Sequence, residues 1–193
     1  VLDVFTSRGV GSAVVDHVLS PERDDMITDT LVYDGSADSE TATDRTTELN
    51  NLAGGTMYTY LVGAVSSSGE SDRSAALEVS TCAPAPSGLV SVSQTTTGTV
   101  LLWNAPAMGS GSAVTGYVVY RNDGVGGTDM STVGYDGSDS TSTTGVVSGL
   151  VGGREYDFVV SALNVGGEGD VSAVFHQSTS PAAPTALHST LQT

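Results

Sequence analysis

Apolar residues in this chain come in short bursts that alternate with polar ones, the period of a half-buried β-strand. The bursts fall at 89–92 (LVSV), 100–103 (VLLW), 117–120 (YVVY), 156–160 (YDFVV) and 171–175 (VSAVF). Gly, Asn, Asp, Ser and Thr clusters separate them, and β-branched and aromatic side chains are frequent within them. Short strands at this spacing predict an all-β fold, an antiparallel sandwich with no helix.

The pattern recurs. STCAPAPSGLVSVSQT (80–95) lies over STSPAAPTALHSTLQT (178–193) at a shift of 98 residues. At the same shift LAGGTMYTYLVGAVSSSGESDRS (52–74) lies over LVGGREYDFVVSALNVGGEGDVS (150–172). GSAVVDHVL (11–19) lies over GSAVTGYVV (111–119) at 100, and YDGS (33–36) over YDGS (135–138) at 102. Several blocks in one order predict a tandem array. Its expected parts are a module at 1–81 lacking its first strand, a complete module at 82–179, and a linker with the first strand of a following module at 180–193.

Composition narrows the functional classes. Among 193 residues the formal charge is −16, and all six cations are Arg. Phosphate backbones need a basic patch, so nucleic acid is disfavoured, and so are anionic membrane surfaces. The balance is compatible with high solubility, with binding of divalent cations, or with a salty exterior. No apolar run reaches the length of a membrane span. Cys82 is the single cysteine, so no disulfide forms within the chain; it is read either as an inert thiol or as an interchain disulfide.

One module carries a family resemblance. It has Pro84 and Pro86, then L-x-W-x-x-P as Leu101, Trp103 and Pro106, then G-Y-x-V-Y as Gly116, Tyr117, Val119 and Tyr120. It continues with G-L-x-x-G-x-x-Y as Gly149, Leu150, Gly153 and Tyr156. It closes with V-x-A-x-N-x-x-G-x-G-x-x-S as Val160, Ala162, Asn164, Gly167, Gly169 and Ser172, the most specific of these motifs. This resembles the fibronectin type III module over essentially all of 82–179. The resemblance implies tandem seven-stranded antiparallel β-sandwiches of immunoglobulin-like architecture, with sheets A-B-E and C-C′-F-G. It implies structural core roles for Trp103, Tyr117, Leu150 and Tyr156, and for Leu52 and Tyr58 in the first copy. Leu150 and Tyr156 are expected to make a tyrosine corner, and Gly167 and Gly169 to supply positive φ in the last hairpin. In the first copy His17 stands for the tyrosine, and Gly152 and Gly54 replace the proline expected after the corner leucine.

Catalytic patterns are missing. His17, His176 and His188 are not placed with a serine and an acid as a triad needs, and HExxH, CxxC and a nucleophile elbow are absent. No cofactor is expected. The acidic loop 34–44 is the one cation candidate, with Asp34, Asp38, Glu40 and Asp44 as weak oxygen ligands for Ca²⁺; a solvated turn is the competing reading. Three functions follow. The first is a non-catalytic structural module of a long extracellular or cell-surface filament, whose partners are neighbouring modules and other protein subunits, without nucleic acid or membrane insertion. The second is an adhesion module for glycan or protein, for which Tyr33, Tyr120 and Tyr135 are the aromatics to inspect. The third is a spacer attached to an enzyme.

Overall fold

The computed structural model describes residues 2–4, 13–19, 29–34, 45–47, 49–66, 69–110 and 112–185. Among them all regular structure is strand. The chain divides into two compact units: Val1–Cys82 with 108–113 and 165–167, and the remainder from Ala83 onward.

The first unit contains β1 (Leu2–Val4), β2 (Ala13–Leu19), β3 (Asp29–Asp34), β4 (Arg45–Thr47), β5 (Met57–Ser66), β6 (Gly69–Glu70) and β7 (Leu77–Ser80). β1 pairs with β4, while β3, β2 and β5 form a sheet whose far edge is shared by β6 and β7. The second unit contains β8 (Ser87–Gln94), β9 (Gly98–Asn104), β10 (Gly116–Arg121), β11 (Thr132–Gly137), β12 (Thr144–Ser148), β13 (Glu155–Asn164), β14 (Gly167–Glu168) and β15 (Phe175–Ser178). Its sheets run β12-β9-β8 and β11-β10-β13, with β14 and β15 both on the free side of β13. These are the A-B-E and C-C′-F-G sheets of the sandwich.

Alternation in sequence becomes alternation in burial. On β9, Thr99, Leu101 and Trp103 are buried while Leu102 and Asn104 are exposed. Val147 of β12, Tyr117 and Val119 of β10, and Phe158 and Val160 of β13 complete the buried set. The rings of Trp103 and Tyr117 meet edge to face, 5.4 Å apart at an angle of 62°. Each ring thus covers the other from water, and the positive edge of one meets the negative face of the other. Tyr135 leans on the same indole, 6.2 Å away.

Three sequence expectations are corrected by the registers. First, GSAV belongs to different structure in the two copies. Ala13 is already in β2 and pairs with Val65, whereas 112–115 precede β10, whose Gly116 pairs with Leu163. Val65 and Leu163 are equivalent at the 98-residue shift. His17 therefore holds the register position of Tyr120, not of Tyr117, and the bulges between Asp16 and His17 and between Val119 and Tyr120 coincide. A loop of different length slid the short match out of register, a change that surface turns tolerate.

Second, the strand expected at 171–175 is broken. Residues 169–174 lie outside any ladder, and pairing resumes at Phe175 opposite Phe158. Ser172 explains the break. Its hydroxyl accepts the Val160 N–H (3.1 Å) and its own N–H donates to the Val160 carbonyl (2.8 Å). A side chain has replaced a ladder carbonyl. Third, only Gly167 of the two hairpin glycines has positive φ (+115°). Gly169 answers to space: a Cβ there would sit 1.9 Å from the Ala83 carbonyl oxygen.

Trp103 is 2% exposed, and its Nε1–H has no partner among the described residues. Trp103→Ala is therefore expected to cost ~3–5 kcal/mol. Trp103→Phe keeps an aromatic in place and removes the unpaired donor, so its cost should be well under half of that. Urea unfolding of both variants, followed by near-ultraviolet circular dichroism, measures the difference.

Candidate functional site

The best-built polar constellation surrounds Tyr156. The turn from β12 into β13 carries Leu150, which is buried, and the Val151 N–H donates to the Tyr156 phenol at 3.0 Å. The first unit repeats the arrangement, with the Ala53 N–H donating to Tyr58 at 2.8 Å. Here Leu52 and Tyr58 are only half-buried, whereas Tyr156 is 2% exposed. A phenol oxygen at this place satisfies an amide that the turn leaves without a ladder partner.

Asn122 organises the loop that covers this ring. Its Oδ1 accepts from Gly124 (3.2 Å) and Asp157 (3.1 Å), and its Nδ2 donates to the Gly127 carbonyl at 2.9 Å. Gly124 has φ +72°, and a Cβ there would lie 2.3 Å from the Tyr156 ring, so no other residue fits. The Arg121 guanidinium sits over the same ring at 5.5 Å from its centroid. The sequence reading did not single out Asn122; N-D-G at 122–124 is the turn signature that marks it. Beside the loop lies a cleft of about 380 Å³, lined by Asn122, Gly127, Thr128, Arg154, Glu155 and Asp157. Asp157 also meets His176 Nδ1, on a largely exposed imidazole. This cleft holds no hydroxyl or thiol nucleophile paired with a base, so it offers binding surface rather than covalent chemistry.

A second cluster ties β14 to the neighbouring strands. The Tyr120 phenol donates to Glu168 at 2.8 Å, and buried Ser161 donates to the same carboxylate. Burial first, and then the hydrogen bond and charge of Glu168, raise the Tyr120 phenol above its ordinary pKa. On β11, Asp136 is held below the usual carboxylate range because the Ser138 amide and hydroxyl donate to it; the amide bond is 3.1 Å long.

The remaining sequence candidates scatter. Asp38, Glu40 and Asp44 lie outside the described residues, as does 186–193, and Asp34 ends β3. Tyr33 is placed on the same strand. Tyr120 and Tyr135 are half-buried, engaged with Glu168 and Trp103 respectively, and form no exposed aromatic cluster. Cys82 is an exposed, free thiol. Among the described residues no three His, Cys, Asp or Glu side chains gather as metal ligands, and no helix is long and apolar enough to cross a membrane.

Two inter-sheet layers, a tyrosine corner and the A-B-E and C-C′-F-G order define a fibronectin type III sandwich. Residues 84–178 match that family and form a fibronectin type III domain. Among solved structures, a two-domain fibronectin type III segment of chicken tenascin shares the fold, with a TM-score of 0.50 and 20% identity over 86% of this chain and 84% of that one. Among curated proteins, Chitinase A1 of Niallia circulans is 34% identical over 146 residues, which is 70% of this chain. The match takes in 19% of that protein, so this chain spans about a fifth of its length.

Two expectations follow from the polar contacts. Tyr156→Phe leaves the part-buried Val151 amide unpaired and should cost about 1–2 kcal/mol, whereas Tyr58→Phe exposes its amide to water and should cost less than ~1 kcal/mol. Thermal melts of the two single variants check the ordering. The depressed Asp136 pKa contributes stability above the unfolded-state value that is lost as pH falls through the folded one. Asp136→Ala should therefore melt below the parent at neutral pH and converge with it in acid, measured as melting temperature against pH.

Proposed function

We propose that this chain is a non-catalytic structural and spacing segment of an extracellular or cell-surface protein. One observation carries the reading: the polar side chains that burial makes available are spent on the fold. Asn122 closes a loop, Ser172 replaces a ladder carbonyl, and Thr179 donates to the Val151 carbonyl at 2.7 Å. Thr99 and Gln177 bond each other at 3.0 Å. What remains outside is an acidic surface without Lys, which favours solubility over capture of a charged polymer. Its partners in this reading are neighbouring modules and other protein subunits, with the exposed thiol of Cys82 as the group that would link chains.

A second reading, a spacer within a chitin-degrading enzyme, is favoured by the 34% identity to Chitinase A1. Chitin is an insoluble polymer, so an enzyme for it works outside the cell, which agrees with the same location. Both readings make the module's length matter more than its side chains. Replacing 84–178 in the full-length protein by an unrelated sandwich of equal span should leave assembly, or activity on solid chitin, within about twofold of the parent. A loss of more than about tenfold on replacement, as large as that on deletion, would mean that the module binds or acts through its own residues.

A further inference from the structure

At one end the inner layer of the second unit carries polar side chains where alternation calls for apolar ones. Ser91 pairs with buried Leu101, Gln177 pairs with buried Tyr156, and Thr99, 3% exposed, stands two residues before Leu101 on β9. Paired residues share a face, as do second neighbours along a strand, so all three point between the sheets. Their polar atoms close a ring. The Gln177 amide donates to the Ser91 hydroxyl (3.0 Å), and its carbonyl oxygen accepts from Thr99 (3.0 Å). That leaves the Ser91 hydroxyl to donate to Thr99 (2.9 Å). The second N–H of Gln177 reaches Gln94 Oε1 (2.6 Å), and the Ser93 carbonyl lies within reach of both hydroxyls. The ring thus joins β8 and β9 of one sheet to β15 of the other.

Backbone pairing leaves these strands in need of such a tie. The β8–β9 ladder shifts register between Ser87 and Val90 and again between Ser91 and Ser93, and Gly88 has φ +64°. Pairing is interrupted at both places, so side chains carry part of the attachment of β8. β8 and β15 also run the same way. Their partners advance together, from Gln177 with Ser91 and Gln94 to Ser180, whose N–H donates to the Thr95 carbonyl at 3.4 Å. The chain enters this module before β8 and leaves it after β15. Tension along the chain therefore pulls two parallel strands in opposite senses and slides one along the other. Apolar contact is non-directional and gives under sliding, whereas a hydrogen bond is lost once its atoms part beyond about 3.5 Å. In this geometry the bonds between the strands share the load instead of opening in turn.

We infer that the Ser91–Thr99–Gln177 ring is a latch that holds the first and last strands of the 84–178 module against tension along the chain. Burying polar groups is costly unless each is satisfied, and the ring matches every donor to an acceptor. An apolar trio would fill the same space without resisting slip. The latch belongs to this module and not to the repeat. In the first unit Val79 stands opposite Tyr58, as Gln177 stands opposite Tyr156, and Val79 has no side-chain polar atom to offer. The use of the latch rests on the spacing reading, in which tension reaches the module through the chain on either side.

Single-molecule force spectroscopy of the 193-residue chain tests the inference. Holding it at the exposed thiol of Cys82 and at a C-terminal handle loads β8 against β15. Gln177→Leu keeps the bulk and removes the ring, so at constant force the module should unfold at least about tenfold faster. The Ser91→Ala/Thr99→Val double variant should do the same, whereas Thr99→Ser, which keeps the hydroxyl, should stay within about twofold of the parent. Circular dichroism checks that each variant is folded. A second axis uses Val125→Cys and Ser142→Cys in a Cys82→Ser background, exposed positions on either side of β11. Load then falls on a different strand and the ring is intact at the barrier, so Gln177→Leu should change the rate by less than about twofold. Equal rates for parent and Gln177→Leu along the first axis overturn the inference. Equal acceleration along both axes also overturns it, and marks the ring as an ordinary stabilising contact. A latch that fails here leaves the spacing reading standing, and a failed module replacement leaves these rates unchanged.

Discussion

The contact between Trp103 and Tyr117 joins the two sheets of the second unit, and the surrounding order depends on it. Trp103 belongs to β9 and Tyr117 to β10, so their edge-to-face packing spans the layers. Large rings at this place set the separation at which Leu101, Val119, Val147 and Phe158 also reach one another. Side chains in a sandwich have no other water-free place to go, because each strand gives up every second residue to solvent. Interiors packed to crystal-like density leave little slack, which is why Gly145 lies where a Cβ would stand 2.7 Å from the Tyr135 ring and 3.1 Å from the indole.

Much of this fold is legible in the sequence because its two strongest signals are local. Period-two alternation placed β9, β10 and β13, and the Leu-to-Tyr spacing of the corner marked the turn before β13. What the sequence hides depends on contacts distant in the chain. Equivalence of β2 and β10 is set by their pairing to β5 and β13, so the short GSAV match, strand at Ala13 and Val14 but outside any strand at Ala113 and Val114, misplaced His17. Ser172 reads as one polar residue in an alternating run, yet its hydroxyl stands in for a carbonyl and breaks the strand. Gly169 reads as a flexible hairpin residue, and its reason is the backbone of Ala83. For the candidate site, Tyr156 was visible through its motif, but Asn122 was not, since its three backbone partners are spread from Gly124 to Asp157.

Polar chemistry in this module is turned inward. The side chains that would make an active centre elsewhere, namely Asn122, Ser161, Ser172, Thr179 and Glu168, each close a turn or tie one strand to another. Carboxylates of the second unit lie in its loops and on the β10–β13 sheet, and the β12-β9-β8 sheet has none. The module thus has one charged side and one neutral side. In this arrangement stability and solubility come from different residues.

The break at Ser172 has a consequence for how such modules share a crowded surface. A strand at a sheet margin presents a row of free amides and carbonyls on which another chain can build, and repeats of similar sequence at high local concentration are the most exposed to that hazard. Here the margin beyond β13 consists of two short pieces, β14 and β15, with 169–174 turned out of the ladder between them. An incoming strand finds two rungs, then a gap, then four more residues. One serine, by standing in for a ladder carbonyl against Val160 of β13, denies a neighbouring copy the continuous template that cross-chain sheet growth requires.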